Sequence, residues 1–255
     1  MKKRTTGILF NILSLAVALF LNFLATNLPL NNLTTREISD SFDIYFVPSA
    51  YVFSIWGLIY LGLLAFIVFQ ALPAQQANEK LQRIDGWFAL SNLSNAFWLV
   101  SFHYQQFALS LALIVLLLIS LIQIFLKLEI GRSQHAAAWR WTVEIPFTIY
   151  LGWVSVATIA NATQVLFFYG WNGFGLNPQL WFVIILALAV LLSALMSFRR
   201  RVLAYALVLA WAFAGIALKF PNVPLVNISA WAGTAAVLLF AILAMVRKPK
   251  GSPAS

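Results

Sequence analysis

Residues Phe46 to Tyr60 read FVPSAYVFSIWGLIY and hold no charged side chain. The stretch sets Tyr51, Phe53, Trp56 and Tyr60 into the opening turns of a helix that runs on apolar to about residue 70. A membrane-spanning helix needs only apolar bulk, and Tyr and Trp usually mark the membrane rim. Here Phe53, Trp56 and Tyr60 recur at i, i+3 and i+7, so one helix face carries an aromatic stripe well into the membrane. A flat apolar molecule could lie against that face.

Composition extends this reading to the whole chain. Of 255 residues, 62% are hydrophobic and 9% charged, and the mean hydropathy is +0.90; a soluble globule of this size is excluded. Runs able to cross a hydrocarbon core of roughly 30 Å, at about 20 residues each, fall near 8–28, 49–70, 87–104, 107–127, 141–166, 179–197, 202–219 and 226–246. The expected class is an all-α integral membrane protein with eight transmembrane helices. The first run lacks a small-residue cleavage site and reads as a retained span. With the N-terminus inside, all sixteen Lys and Arg residues except Arg36 and Lys219 fall on the cytoplasmic side, including Lys2, Lys3, Arg4, the run Arg199 to Arg201, Lys248 and Lys250. This asymmetry places both termini in the cytoplasm and accounts for the net charge of +9 without nucleic acid.

The chain has no cysteine, which excludes disulfides and thiolate sites. His103 and His135 sit at expected span ends or in loops, without a second ligand at metal spacing. No Ser/His/Asp set, HExxH motif or phosphate-cradling Gly loop is present, so no catalytic residue is assigned. Glu144 is the carboxylate placed inside an expected span, with Arg140 at i−4 as a ready ion-pair partner. Asp85 reads as the N-cap of the third span. The long outer loop, Asn27 to Pro48, sets Arg36 against Glu37, Asp40 and Asp43 and reads either as a lid or as a solvated connector.

Two spans carry a patterned polar and aromatic face. In the third, Ser91, Ser94, Asn95, Trp98, Ser101 and Phe102 share one side; in the fifth, Pro146, Tyr150, Trp153, Ala157 and Asn161 do. At about 1.5 Å per residue, Trp56 lies roughly 10 Å below the outer surface, while Trp98 and Trp153 lie roughly 17 Å above the inner one. In a core of roughly 30 Å the three rings share one layer. They are either the walls of a pocket or a shared bulky core, and the Asn and Ser residues either contact a ligand or bond helix to helix.

Three motifs then match a known family. Phe46-x-Pro48-x-x-Tyr51-x-Phe53-x-x-Trp56-x-x-x-Tyr60, Asn95-x-x-Trp98, and Pro146 with Tyr150, Trp153, Ala157 and Asn161 resemble, in order and by helix, the signatures of the TspO/MBR family of translocator proteins, the tryptophan-rich sensory proteins. The resemblance covers roughly residues 8–168. It implies a TspO-like five-helix membrane bundle over 1–168; the three further transmembrane helices and short basic tail over 169–255, read from hydropathy, are an addition that the resemblance does not explain. It also implies an intramembrane pocket that binds a tetrapyrrole (porphyrin or haem), with Phe46, Pro48, Tyr51, Phe53, Trp56, Tyr60, Asn95, Trp98, Phe102, Tyr150, Trp153, Ala157 and Asn161 around it. Tyr51 stands where the family usually has Trp, and the loop lacks the family's Trp-Tyr pair.

The resulting expectation is a receptor, sensor or transport protein of the bacterial inner membrane. Its expected partners are membrane lipid, a tetrapyrrole or other apolar small molecule, and a second copy of the chain in a homodimer. No resident cofactor or metal is expected. Two alternatives stay open: a proton-coupled secondary transporter of a small apolar solute using Glu144, and a light-dependent porphyrin-degrading activity.

Overall fold

The computed structural model describes residues 2–27, 30–132 and 135–247. The tail residues Lys248 and Lys250, and Leu28 and Pro29 of the long loop, lie outside them. The described chain is helical, without strands: α1 (Lys2–Asn27), the short α2 (Thr35–Asp40), α3 (Ile55–Ala71), the single turn α4 (Glu79–Gln82), α5 (Asp85–His103), α6 (Phe107–Lys127), the single turn α7 (Ala137–Trp139), α8 (Ile145–Phe168), α9 (Pro178–Arg200), α10 (Leu203–Lys219) and α11 (Pro224–Val246). Six of the described helices, α1, α3, α6, α8, α9 and α11 with the turns that extend them, are long and apolar enough to cross a membrane. The chain is a multi-pass membrane protein. Helices α5 and α10, at the third and seventh expected positions, fall short of that measure. Ser and Asn residues dilute the hydropathy of α5, and α10 has only 17 residues.

The polar residues of α5 explain its place in the packing. Ser91, Asn92, Ser94 and Asn95 are all buried, so α5 must be flanked by protein to satisfy them. It packs between α1 and α6; α6 in turn packs on α8, α8 on α3, and α3 on α1, which closes a ring. Helix α10 lies against α8 outside that ring, and α9 and α11 pack with α10.

Pro146 shapes the start of α8. It has no N–H, and its ring crowds the carbonyl four residues back. The backbone ahead of it widens into a π-turn over Arg140–Glu144, which spreads those residues away from α-helical register. The expected Arg140–Glu144 pair therefore does not form; Glu144 instead hydrogen-bonds His135, with Nδ1 and Oε1 2.7 Å apart.

One end of the molecule carries α2; the other carries both ends of the described chain. At the latter, Arg4 donates from Nη1 to the carbonyls of Gln75 and Asn78, each at 2.7 Å, and Lys80 pairs with Glu129 at 2.8 Å. Gly131, at φ +76°, presses against the backbone of Arg200, and the Arg201 guanidinium donates to the Arg247 carbonyl. Asp85 is not the N-cap of α5, a position held by Ile84. Its carboxylate instead accepts a 2.9 Å hydrogen bond from Asn11 Nδ2 on α1, because a buried amide on an apolar helix needs a partner more than a helix end near water needs a cap.

Candidate functional site

The opening stretch divides in two. Its first half is not helical in the α sense: Ala50–Ser54 forms a 3₁₀ turn, and the segment docks on α10. Ser49 donates to the Gly215 carbonyl from its backbone N at 3.1 Å and from Oγ at 2.8 Å. A side chain at Gly215 would overlap Val52, so glycine is what permits this approach. Phe46 packs against Phe182 and Phe213, and Tyr51 sets its ring edge-on to Trp211, 4.9 Å between centroids. Phe46 and Tyr51 line neither of the two cavities described below.

The second half faces inward. Tyr60, Trp56, Trp98 and Phe102 stack in sequence, with centroids 5.5, 6.0 and 5.8 Å apart and planes 19°, 29° and 28° from parallel. Trp153 and Tyr150 meet Trp56 edge-on at 6.2 and 6.0 Å, and Phe53 meets Trp153 edge-on at 5.9 Å. Stacked and edge-on pairs in this range each contribute about 0.5–1.5 kcal/mol beyond burial. The three tryptophans thus meet in one layer, drawn from α3, α5 and α8.

Two asparagines hold this stack in place. Asn95 Oδ1 accepts from Tyr60 Oη at 3.3 Å and from Asn22 Nδ2 at 3.0 Å. Asn161 Oδ1 accepts from Trp98 Nε1 at 3.3 Å and from Ser110 Oγ at 3.2 Å. The amide nitrogens of both asparagines, and Trp153 Nε1, are buried without a partner. These are donors for which a bound acceptor would be favourable.

The ring stack separates two spaces. On the α1 side lies a cavity of about 560 Å³, lined by Leu19, Asn22, Phe23, Phe53, Trp56, Gly57, Tyr60 and Trp98, with Thr34, Thr35 and Arg36 at its α2 end. On the α8 side lies a crevice of about 30 Å³, bounded by Pro48, Phe102, Trp153, Ala157 and Asn161 among others. The first volume falls in the range of roughly 300–1,000 Å³ common for ligand pockets; the second holds little more than a water molecule. Of the residues picked out in the sequence, Phe53, Trp56, Tyr60 and Trp98 line the larger space. Pro48, Phe102, Trp153, Ala157 and Asn161 bound the smaller, while Asn95 and Tyr150 stand behind the rings. Asn22, Phe23 and Arg36, which also line the larger space, lie outside the sequence motifs. The signal for Asn22 is an amide side chain inside the apolar first span, a feature it shares with Asn11.

The long loop folds over the helix ends as a lid. Thr34 and Glu37 form a capping box at the start of α2, and hydrogen bonds from the Thr34 backbone N and Oγ1, both 2.7 Å, hold the Glu37 carboxyl below its ordinary range. Ser39 accepts from Gln164 Nε2 at 2.9 Å, and Asp40 pairs with Lys219 at 2.5 Å. His103, expected at the interface, is fully buried. Its Nδ1 lies 3.1 Å from the Leu30 carbonyl and its Nε2 2.9 Å from Thr35 Oγ1, so both nitrogens are committed to the loop. Among the described residues no cluster of His, Cys, Asp and Glu is placed to hold a metal ion.

A sequence model of the family described as TSPO-like protein matches residues 8–244. The chain belongs to the TSPO-like family. The match runs through α9, α10 and α11, so the family's own pattern takes in the three C-terminal helices that the motif resemblance leaves out. Neither the curated proteins nor the solved structures contain a match. In this TSPO-like chain, α10 supplies the surface against which the front half of the opening stretch is packed.

Proposed function

We propose that this TSPO-like protein is a membrane receptor or carrier for a flat, largely apolar molecule with a carboxylate, of the tetrapyrrole class. The observation that carries this reading is the wall of stacked rings, Tyr60, Trp56 and Trp98, along a 560 Å³ cavity whose mouth bears Arg36. Ring faces offer dispersion contact to a planar ligand, and a guanidinium suits a propionate. The hydrogen bonds of Asn95 and Asn161 preset the rings, which lowers the ordering cost of binding. In this reading the ring of α1, α3, α5, α6 and α8 is the TspO-like five-helix bundle, and α5 and α10 cross the membrane with the six apolar spans to give eight. Fourteen of sixteen basic residues on one side support an inner-membrane orientation with both termini cytoplasmic and the α2 lid outside.

The test is titration of the purified protein with protoporphyrin IX, followed by tryptophan fluorescence. Saturable quenching is expected, weakened in Trp56→Phe and Trp98→Phe and less affected in Trp153→Phe, which borders only the crevice. Quenching that never saturates, for any porphyrin, overturns the proposal.

A further inference from the structure

A third space has no part in that reading. A cavity of about 1030 Å³ runs between α3, the π-turn and α10, along the seam where the C-terminal helices meet the ring. It extends from Trp211, beside the 3₁₀ turn, to Leu203 at the terminus-bearing end, roughly 12 Å at about 1.5 Å per residue. Its character changes along that length. The terminus-bearing end holds His135, Arg140, Glu144 and Arg201, while the remainder is mostly apolar. Leu58 and Leu207, on its flanks, are 53% and 48% exposed, so the apolar part opens sideways toward lipid.

Charge decides what fits the polar end. The Glu144 carboxylate is engaged within the protein by a 2.7 Å hydrogen bond with His135 Nδ1, and the two arginines at this end outnumber it. Arg201 spends a donor on the Arg247 carbonyl, a neutral group, and so keeps its charge uncompensated. Arg140 is exposed and forms no ion pair among the described residues. Two guanidiniums at one end of an apolar groove match an anionic oxygen cluster attached to hydrocarbon. Trp141, next in sequence and 68% exposed, is a residue type that favours the headgroup level. We propose that this seam binds one anionic phospholipid, with its phosphate between Arg140 and Arg201 and an acyl chain along Leu58 and Leu207. The C-terminal helices would then form a lipid site distinct from the Trp56 cavity.

Native mass spectrometry of the detergent-solubilised full chain tests this, with phosphatidylglycerol and phosphatidylcholine of identical acyl chains added in equal amounts. One phosphatidylglycerol is expected to stay bound under activation that strips phosphatidylcholine. Arg140→Gln, at an exposed site, should reduce that adduct about fivefold, as suits one lost arginine–headgroup contact. Ala204→Phe, which fills the apolar groove without changing charge, should also reduce it. Equal retention of the two lipids, or an unchanged phosphatidylglycerol adduct in either variant, overturns the proposal.

Discussion

Trp56 stacks on Trp98, centroids 6.0 Å apart, and both rings border two spaces at once, the 560 Å³ cavity and the 30 Å³ crevice. The pair is a partition. Moving Trp56 would break its stacking on Tyr60 and Trp98 and its edge contacts with Tyr150 and Trp153, on the order of a few kcal/mol at about 0.5–1.5 each. A ligand on the α8 side has to supply that energy; one on the α1 side does not.

Gly57 separates these two routes. It lines the larger cavity, and a Cβ there would meet nothing within 4 Å. Gly57→Leu should leave thermal stability nearly unchanged and weaken porphyrin quenching by roughly tenfold, the equivalent of about 1.4 kcal/mol. Ala157→Phe should behave oppositely, costing about 1–3 kcal/mol of stability by overpacking the crevice. Paired melting and titration curves check both; unchanged affinity in Gly57→Leu would count against the α1-side cavity.

His103 fastens the lid. Replacing it with Leu leaves the Leu30 carbonyl and Thr35 Oγ1 without their buried partner, at a local cost of about 1–3 kcal/mol. Hydrogen exchange over residues 30–40 should speed up while the amides of α6 and α8 keep their protection. Equal protection of the loop in both proteins would show that the lid is held elsewhere.

Glu37 makes the lid sensitive to acid. Hydrogen bonds from Thr34 depress its folded pKa below the unfolded value of about 4.3. The stabilisation is therefore complete above that value and is lost as pH falls through the depressed one. The amide resonance of Glu37 in labelled protein should broaden or shift across that window. Glu37→Gln keeps a side-chain acceptor for the capping box and should remove the step.

Gly131 ties the loop after α6 to the junction between α9 and α10. Its φ of +76° and its contact with the Arg200 backbone leave no room for a Cβ, so Gly131→Ala should destabilise by at least about 1–3 kcal/mol. The melting temperature should fall, with porphyrin affinity preserved. An unshifted melting temperature would mean that this joint contributes little.

Much of the fold is legible in the chain because lipid leaves few options for a backbone: every expected run holds a helix, with ends within a few residues except at the start of the first, which begins earlier, and of the second, which opens with a 3₁₀ turn. The misread positions share one cause. For Asp85, Glu144 and His103 the sequence offers a neighbour or water, whereas each finds its partner on another element: Asn11, His135 and the loop. Burial makes a distant hydrogen bond worth more than a local one, and spacing cannot reveal which distant group arrives.

The sequence by itself determined the helices, the clustering of basic residues and the meeting of Trp56, Trp98 and Trp153 at one depth, because these follow from periodicity and from the rise of a helix. Only the tertiary structure decided which side of the ring stack is open and what Phe46 and Tyr51 touch. Those outcomes depend on how helices pack sideways. The docking of α10 on the 3₁₀ turn turns the front of the opening stretch into an internal joint, and its back half into the wall of the cavity.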